Sequence, residues 1–323
     1  MPRLETWRIL REIDLGAVRA EAERPFRVRL LAEARGEAEQ LARLLTGAAG
    51  SRAHPWLLCS AADLETRGPL PDLAVFVSRV PDLPPRLAIA AEALGRQRVP
   101  LVAVVVGEAA AVDGVVRPGE AARAAVPALS AEHVETVAQA VASGAPGELR
   151  LSLARQLPPL RLPVIAAVIE QTARANALYA LGSAVAESVP LLTLPLNVGD
   201  IVVLTKNQVV MSYRIALAGG RKGTARAVLG QTLGVVGSGF LLRQLARQLV
   251  GLVPVIGIAP KVAVAYAGTW ALGRAVAAWA AGGPPVTRDS VKRFYAEALQ
   301  RGRQVASAFS WARRARRVGR MLR

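Results

Sequence analysis

Cysteine and histidine are scarce in this chain of 323 residues. Cys59 is the single cysteine, which excludes a disulfide within the chain and is typical of a protein kept in a reducing compartment. The two histidines, His54 and His133, stand far apart in the sequence. Because zinc and similar metals are held by clusters of such ligands, the sequence predicts no metal site, and no motif in it calls for a cofactor.

Acidic residues are scarce in the second half of the chain. Residues 1–150 hold 18 arginines against 19 aspartates and glutamates, whereas residues 151–285 hold 12 basic and 3 acidic groups. Residues 286–323 hold 11 basic and 2 acidic groups, so the excess behind the formal net charge of +17 lies entirely after residue 150. A surface of this kind attracts polyanions, either an anionic membrane leaflet or nucleic acid.

Long hydrophobic runs are absent, although 52% of the residues are hydrophobic. No run reaches 18 uncharged apolar residues, and the closest is 227–242 with its regularly spaced glycines. Residues 227–281 leave two interpretations open: a membrane hairpin of two short spans, or a helical bundle buried in protein. The charged start of the chain does not resemble a secretory signal, so both ends of such a hairpin are expected to face the cytoplasm.

Apolar β-branched runs alternate with helical patterns in the first half of the chain. This alternation predicts an α+β protein that begins with a three-layer α/β domain, residues 25–147, built on a mainly parallel sheet. A moderately amphipathic helix is expected in residues 1–24, and Ser130 is expected to cap the last helix of the domain. The predicted strands are 26–33, 54–60, 72–78, 99–106 and 124–129, and the predicted helices between and after them are 36–47, 86–97 and 131–143.

The turn after the first predicted strand occupies the place of a P-loop, the phosphate-binding loop of many nucleotide-binding domains. Ala32 takes the position of the first glycine, and Glu37, Ala38 and Glu39 stand where Gly-Lys-Ser/Thr is required. Two carboxylates at a phosphate-binding helix terminus repel a nucleotide. The sequence therefore predicts a degenerate, P-loop GTPase-like domain without NTPase activity. The alternative is an α/β domain of other origin that never bound nucleotide.

Residues 148–285 predict an all-α domain with a polar interruption near its middle. Thr205, Lys206, Asn207 and Gln208 separate two apolar segments, and Gln208 shares a helix face with the apolar residue four positions before it. Polar groups buried between apolar flanks must be hydrogen-bonded. The pattern predicts a polar network between helices, which serves either as a ligand niche or as a staple that fixes how the helices align.

The stretch NVGDIVVLTKNQVVMSYR at 197–214, with the preceding residues from 173, resembles the domain-of-unknown-function family 697. That family includes YcjF-like inner-membrane proteins and the C-terminal domains of some Era-like GTPases. The resemblance covers about residues 160–285 and implies a helical domain at the cytoplasmic face of a bacterial-type inner membrane, associated with a GTPase-like domain. The family-motif and polar-network residues are Asn176, Asn197, Asp200, Thr205, Lys206, Asn207, Gln208, Met211 and Arg214.

Residues 286–323 predict a basic amphipathic helix in which aromatic residues stand among arginines. Such helices associate with anionic membrane surfaces, and the basic residues expected there are Arg313, Arg314, Arg316, Arg317 and Arg320. The sequence thus predicts a non-catalytic, membrane-associated scaffold or regulatory protein with a pseudo-GTPase domain, whose helical domain contacts a protein partner or a second copy. A soluble nucleic-acid-binding protein and an atypical NTPase are the alternatives.

Overall fold

The computed structural model describes residues 14–47, 57–61, 69–107, 116, 119–186, 198–223, 225, 227–229 and 258–321. The chain divides into two compact units. The first, the sheet domain, comprises Arg19–Val164 together with Ala218–Gly220, and the second, the helical domain, is built mainly from Ile165–Leu217 and Arg221–Arg323. The predicted N-terminal helix is seen as α1 (Leu15–Glu23), and the residues before Asp14 lie outside the described part.

The described part of the sheet domain contains five parallel strands in the spatial order β2-β1-β3-β4-β5. Every predicted strand is present, and the predicted mainly parallel sheet is confirmed. The last strand begins two residues earlier than the apolar pattern indicated. The strands are β1 (Val28–Ala32), β2 (Leu57–Ala61), β3 (Leu73–Ser78), β4 (Leu101–Val106) and β5 (Ala122–Val126).

Helices cover both faces of this sheet, which explains why its strands read as continuous apolar runs. One face packs against α2 (Arg35–Thr46) and α4 (Val134–Gly144), and the other packs against α3 (Pro85–Arg96). The strand order is that of doubly wound sheets of the flavodoxin type. In such sheets ligands bind outside the carboxyl ends of the strands where the winding direction changes, which is here between β1 and β3.

The sheet domain continues beyond residue 147, where the sequence pattern placed its end. A short helix, α5 (Arg150–Gln156), and a 3-10 turn at Pro158–Leu160 follow α4. Leu149, Leu153 and Leu160 are buried in the same core as one face of the sheet. The end of the strand–helix alternation therefore marks the end of the sheet but not the end of the domain.

The helical domain is built from long helices, as predicted for residues 148–285 and 286–323. The segments 187–197 and 230–257 lie outside the described residues, and with them lies the glycine-spaced part of the predicted membrane hairpin. Within the described part of the chain, no helix combines the length and the apolar character needed to cross a membrane. The helices are α6 (Arg161–Ala186), α7 (Val198–Ala218), α8 (Ile258–Ala280) and α9 (Arg288–Met321).

Helices α8 and α9 form an antiparallel hairpin, since only residues 281–287 connect them. Gly282 in the connection has a φ of +98°, a conformation that glycine adopts without strain. A stripe of small residues on α9, Ala298, Gly302 and Ala306, is buried. A Cβ added at Gly302 would stand 2.5 Å from the Ala263 carbonyl oxygen, so this glycine lets the two backbones approach closely.

Candidate functional site

A polar network joins three helices inside the helical domain. Asn176 of α6 is fully buried, and Thr269 of α8 is 1% exposed. Asn207 and Gln208 reach them from α7. The network connects positions that lie up to 93 residues apart in the chain, so it ties the helices together rather than stabilising any one of them.

The hydroxyl of Thr269 is the centre of this network. Its Oγ1 accepts hydrogen bonds from Asn176 Nδ2 at 2.9 Å and from Gln208 Nε2 at 3.3 Å. It donates to the Ala265 carbonyl oxygen at 2.9 Å, so its hydrogen-bonding capacity is full. Asn207 Nδ2 donates to Asn176 Oδ1 at 2.7 Å, which extends the network to the half-buried side of α7.

The structure brings together only part of the predicted residue set. Asn176, Asn207 and Gln208 are joined directly, Thr205 and Met211 are buried on α7, and Lys206 and Arg214 are half-buried. Asn197 lies outside the described residues, and so does the side chain of Asp200, whose backbone is in the first turn of α7. Sequence reasoning missed Thr269, although a single threonine within the apolar run VAVAYAGTWAL of α8 was a usable signal.

The hydrogen-bond pattern favours the staple over the ligand niche. Among the described side chains, the buried nitrogen and oxygen atoms without a hydrogen-bond partner are all arginine Nε atoms, and none belongs to the four hydrogen-bonded residues Asn176, Asn207, Gln208 and Thr269. A ligand would therefore find no vacant buried donor or acceptor there. A fully satisfied polar network in an apolar bundle specifies one alignment of its helices.

A second polar contact connects α6 and α8 near this network. The hydroxyl of Tyr266 donates to Glu170 Oε2 at 2.6 Å, and Glu170 Oε1 lies 2.5 Å from Arg174 Nε. Burial raises the pKa of Tyr266, and the hydrogen bond to Glu170 raises it further. Tyr266 therefore remains a protonated donor over the physiological range of pH.

Ion pairs stand near the carboxyl edge of the sheet, at the place where a doubly wound domain binds phosphate. Glu37, in the first turn of α2, lies 2.6 Å from Arg79, which follows β3. Glu39 pairs with Arg35 at 2.9 Å. A helix N-terminus attracts an anion through its free N–H groups and its dipole. Here the chain's own Glu37 carboxylate, 19% exposed, supplies that negative charge.

The segment that carries Arg79 is fixed from the other side of the sheet. Arg123 of β5 pairs with Glu120 at 2.5 Å, and the two side chains are 1% and 9% exposed. Arg123 Nη1 also donates to the Pro81 carbonyl oxygen at 3.0 Å. Arg123 therefore links β5 to the chain that follows β3, two residues beyond Arg79.

Aromatic rings and arginines alternate along the α8/α9 hairpin. The guanidinium carbon of Arg274 lies 5.6 Å from the ring centroid of Phe294 and 5.5 Å from that of Trp270. Arg301 lies 4.9 Å from the same Trp270 ring and 3.0 Å from Glu297. We call the series Phe294, Arg274, Trp270 and Arg301 the arginine–aromatic ladder.

The predicted basic segment lies on helical backbone. Helix α9 continues to Met321 and includes Arg313, Arg314, Arg316, Arg317 and Arg320, whose side chains are outside the described part. No protein-family model, curated protein or solved structure matches this chain. The resemblance to family 697 therefore stays a prediction.

Proposed function

We propose that this protein is a non-catalytic scaffold or regulatory protein at the cytoplasmic face of a bacterial-type inner membrane. In this proposal the sheet domain is a pseudo-nucleotide-binding domain and α9 provides attachment to anionic lipid. The observation that carries the proposal is the Glu37–Arg79 pair at the N-terminus of α2. A carboxylate of the chain takes the place that a nucleotide phosphate requires.

The charge of Glu37 at this position supports the loss of nucleotide binding. A nucleotide phosphate would approach the Glu37 carboxylate at short range, and two negative charges at about 4 Å repel each other by about 4 kcal/mol near a protein surface. The chain also offers no P-loop lysine in this region, since residues 1–150 contain none. Arg79 donates to Glu37 through Nε, so a phosphate that bound the remaining N–H groups of Arg79 would lie beside this carboxylate.

The charge distribution supports attachment to an anionic surface. Residues 298–323 contain eight arginines and no acidic residue, and residues 201–288 contain no acidic residue either. Each basic group near an anionic leaflet contributes about 1 kcal/mol, so a few of the arginines in α9 suffice for docking. Phe309 and Trp311 precede the arginine-rich segment, and aromatic residues favour the interface of a membrane.

Nucleotide binding is tested by calorimetry with GTP and with ATP in the presence of Mg²⁺. We expect no heat of binding from the full chain. Glu37→Gln serves as a matched variant, because it removes the repelling charge and keeps the size of the side chain. Micromolar binding by the unaltered chain would contradict the pseudo-nucleotide-binding assignment.

Membrane attachment is tested by flotation of the full chain with vesicles. We expect binding to vesicles that contain phosphatidylglycerol, little binding to pure phosphatidylcholine, and release by high salt because exposed charges are screened. Replacement of Arg313, Arg316 and Arg317 by glutamine should reduce binding strongly. Failure to float with anionic vesicles, combined with salt-sensitive binding to duplex DNA or RNA, would replace the membrane by nucleic acid as the partner.

A further inference from the structure

The arginine–aromatic ladder places two guanidinium groups against a single indole ring, that of Trp270. Trp270, on α8, is 6% exposed. The side chain of Arg274, also on α8, is exposed, and that of Arg301, on α9, is 52% exposed. From their distances to the Trp270 centroid, the two guanidinium carbons lie at most about 10 Å apart. The rings hold both cations in place without neutralising them.

A guanidinium that lies over a ring uses its face for that contact and keeps its in-plane N–H groups for hydrogen bonds. Among the described residues, Arg274 contacts the Trp270 and Phe294 rings and has no hydrogen bond or ion pair, so none of these residues competes with a ligand for its N–H donors. Planar guanidinium donors match the oxygens of phosphate and form paired, charge-assisted hydrogen bonds with them. The order imposed by the rings lowers the entropy lost when such a ligand binds.

Glu297 is the acidic group that competes for this cluster, through its 3.0 Å contact with Arg301. Both side chains are 52% exposed, and exposed ion pairs of this kind contribute at most about 1 kcal/mol. A phosphate oxygen can therefore displace the carboxylate from one guanidinium edge at little cost. No described acidic side chain has to be displaced from Arg274.

We propose that Arg274 and Arg301, ordered by Trp270 and Phe294, form a binding site for phosphate groups on the α8/α9 hairpin. Two sources carry this chemistry: the headgroup of an anionic phospholipid and a soluble phosphate compound. If the ligand is a lipid headgroup, the site rests on the proposed membrane attachment and makes that proposal more specific. It adds a specific headgroup contact to the diffuse attraction of the arginines near the end of α9.

The test uses the full chain and two probes, inorganic phosphate and phosphatidylglycerol vesicles. Phosphate binding is followed by ³¹P line broadening, and vesicle binding by co-sedimentation. The variants are Arg274→Gln and Arg301→Gln. The matched control is Arg303→Gln, since Arg303 is an exposed arginine on α9, the helix of Arg301, and has no described ring contact. Thermal unfolding of each variant shows whether the hairpin remains folded.

We expect each ladder variant to bind inorganic phosphate at least about fivefold more weakly than the unaltered chain, which corresponds to about 1 kcal/mol. Arg303→Gln should bind as the unaltered chain does. Equal phosphate binding by all variants, or no phosphate binding by the unaltered chain, would overturn the site. A lower melting temperature without a change in phosphate affinity would show that the ladder only holds the helices together, which also overturns it.

The vesicle arm separates this inference from the proposed function. Phosphate binding that depends on the ladder, without vesicle binding, would sustain the site with a soluble ligand and overturn membrane attachment. Vesicle binding that is unaffected by Arg274→Gln and Arg301→Gln, but reduced by the variants near the end of α9, would sustain membrane attachment and overturn the lipid headgroup as the ligand of the site. Weaker binding of both probes by the ladder variants is the outcome that supports both.

Discussion

Replacing Thr269 by valine isolates the contribution of the polar network to the stability of the helical domain. Valine has nearly the same shape as threonine, so the change opens no cavity and removes only the hydroxyl. Asn176 Nδ2 and Gln208 Nε2 then lose the oxygen to which they donate. Asn176 is fully buried and Gln208 is 6% exposed, so water cannot readily replace that oxygen.

The expected loss follows from the cost of unsatisfied buried donors. Each donor left without a partner costs about 1–3 kcal/mol, and the apolar gain from the added methyl group offsets about 1 kcal/mol. We therefore expect Thr269→Val to lower the free energy of unfolding of the helical domain by about 3 kcal/mol. Thr269→Ser keeps the hydroxyl and removes one methyl group, so it should cost only about 1 kcal/mol.

The assay is urea unfolding of the full chain, followed by tryptophan fluorescence. Trp270 and Trp279 are buried in α8 and report on the helical domain. In the double variant Asn176→Leu, Thr269→Val, both partners of the central hydrogen bond are apolar, and its cost should fall below the sum of the two single costs. A serine variant less stable than the valine variant would refute the network as a source of stability.

Three further predictions concern packing, a buried ion pair and pH. Gly302→Ala forces a Cβ against the α8 backbone, so it should cost about 1–3 kcal/mol of stability and lower the melting temperature. The control is Gly182→Ala, where an added Cβ meets no atom within 4 Å; it should stabilise α6 slightly. Arg123→Met removes the guanidinium that pairs with the buried Glu120 carboxylate and should cost about 3–5 kcal/mol in urea unfolding, most of which Glu120→Gln should restore. The pKa of Tyr266 is higher in the folded chain than its ordinary value of 10.0, so its stabilising contribution is complete below pH 10 and is lost as pH rises above it. Tyr266→Phe should flatten the alkaline loss of stability measured by urea unfolding from pH 9 to pH 11, and an unchanged pH dependence would contradict the role of this hydroxyl.

The strands of the sheet domain could be predicted because a strand that is buried on both faces has a continuous apolar sequence. Runs such as LAVFVS in β3 and LVAVVV in β4 have few alternatives to a central parallel strand. The end of the domain could not be predicted in the same way. Leu149, Leu153 and Leu160 have a helical spacing that fits either domain, and only the folded core shows which one they join.

The capping rule failed at Ser130 because its hydroxyl has another local partner. Ser130 was expected to cap a helix, yet the chain forms a 3-10 turn at Ala131–His133 and α4 begins at Val134. The Ser130 hydroxyl instead shares a hydrogen bond with His133 Nδ1 at 2.9 Å. The nearby Leu129 carbonyl oxygen accepts from Gln40 of α2 at 2.9 Å, which shows that this loop is held by the neighbouring helix.

In the candidate sites, too, individual residues could be predicted from the sequence but their distant partners could not. The polar residues of α7 could be predicted, because four polar residues between apolar segments require partners. Their partner Thr269 could not be assigned to them, because it follows Gln208 by 61 residues and nothing local connects the two. Glu37 and Arg79 are likewise 42 residues apart. The sequence identified Glu37 as a carboxylate that opposes phosphate binding, but it did not identify Arg79 as its partner. Long-range pairing depends on the register of whole elements, which single residues do not encode.

The earlier part of helix α9 packs through small residues, and its last part carries a run of arginines. Because Gly302 lies opposite Ala263 and the hairpin is antiparallel, Ile258 at the start of α8 lies opposite a position about five residues beyond Gly302. Helix α9 continues for about 14 residues past that level, or about 20 Å. The positions seven and eleven residues after Ala306, which continue its buried stripe, are Arg313 and Arg317. Small residues thus occupy the stripe where α8 is present and arginines occupy it beyond α8.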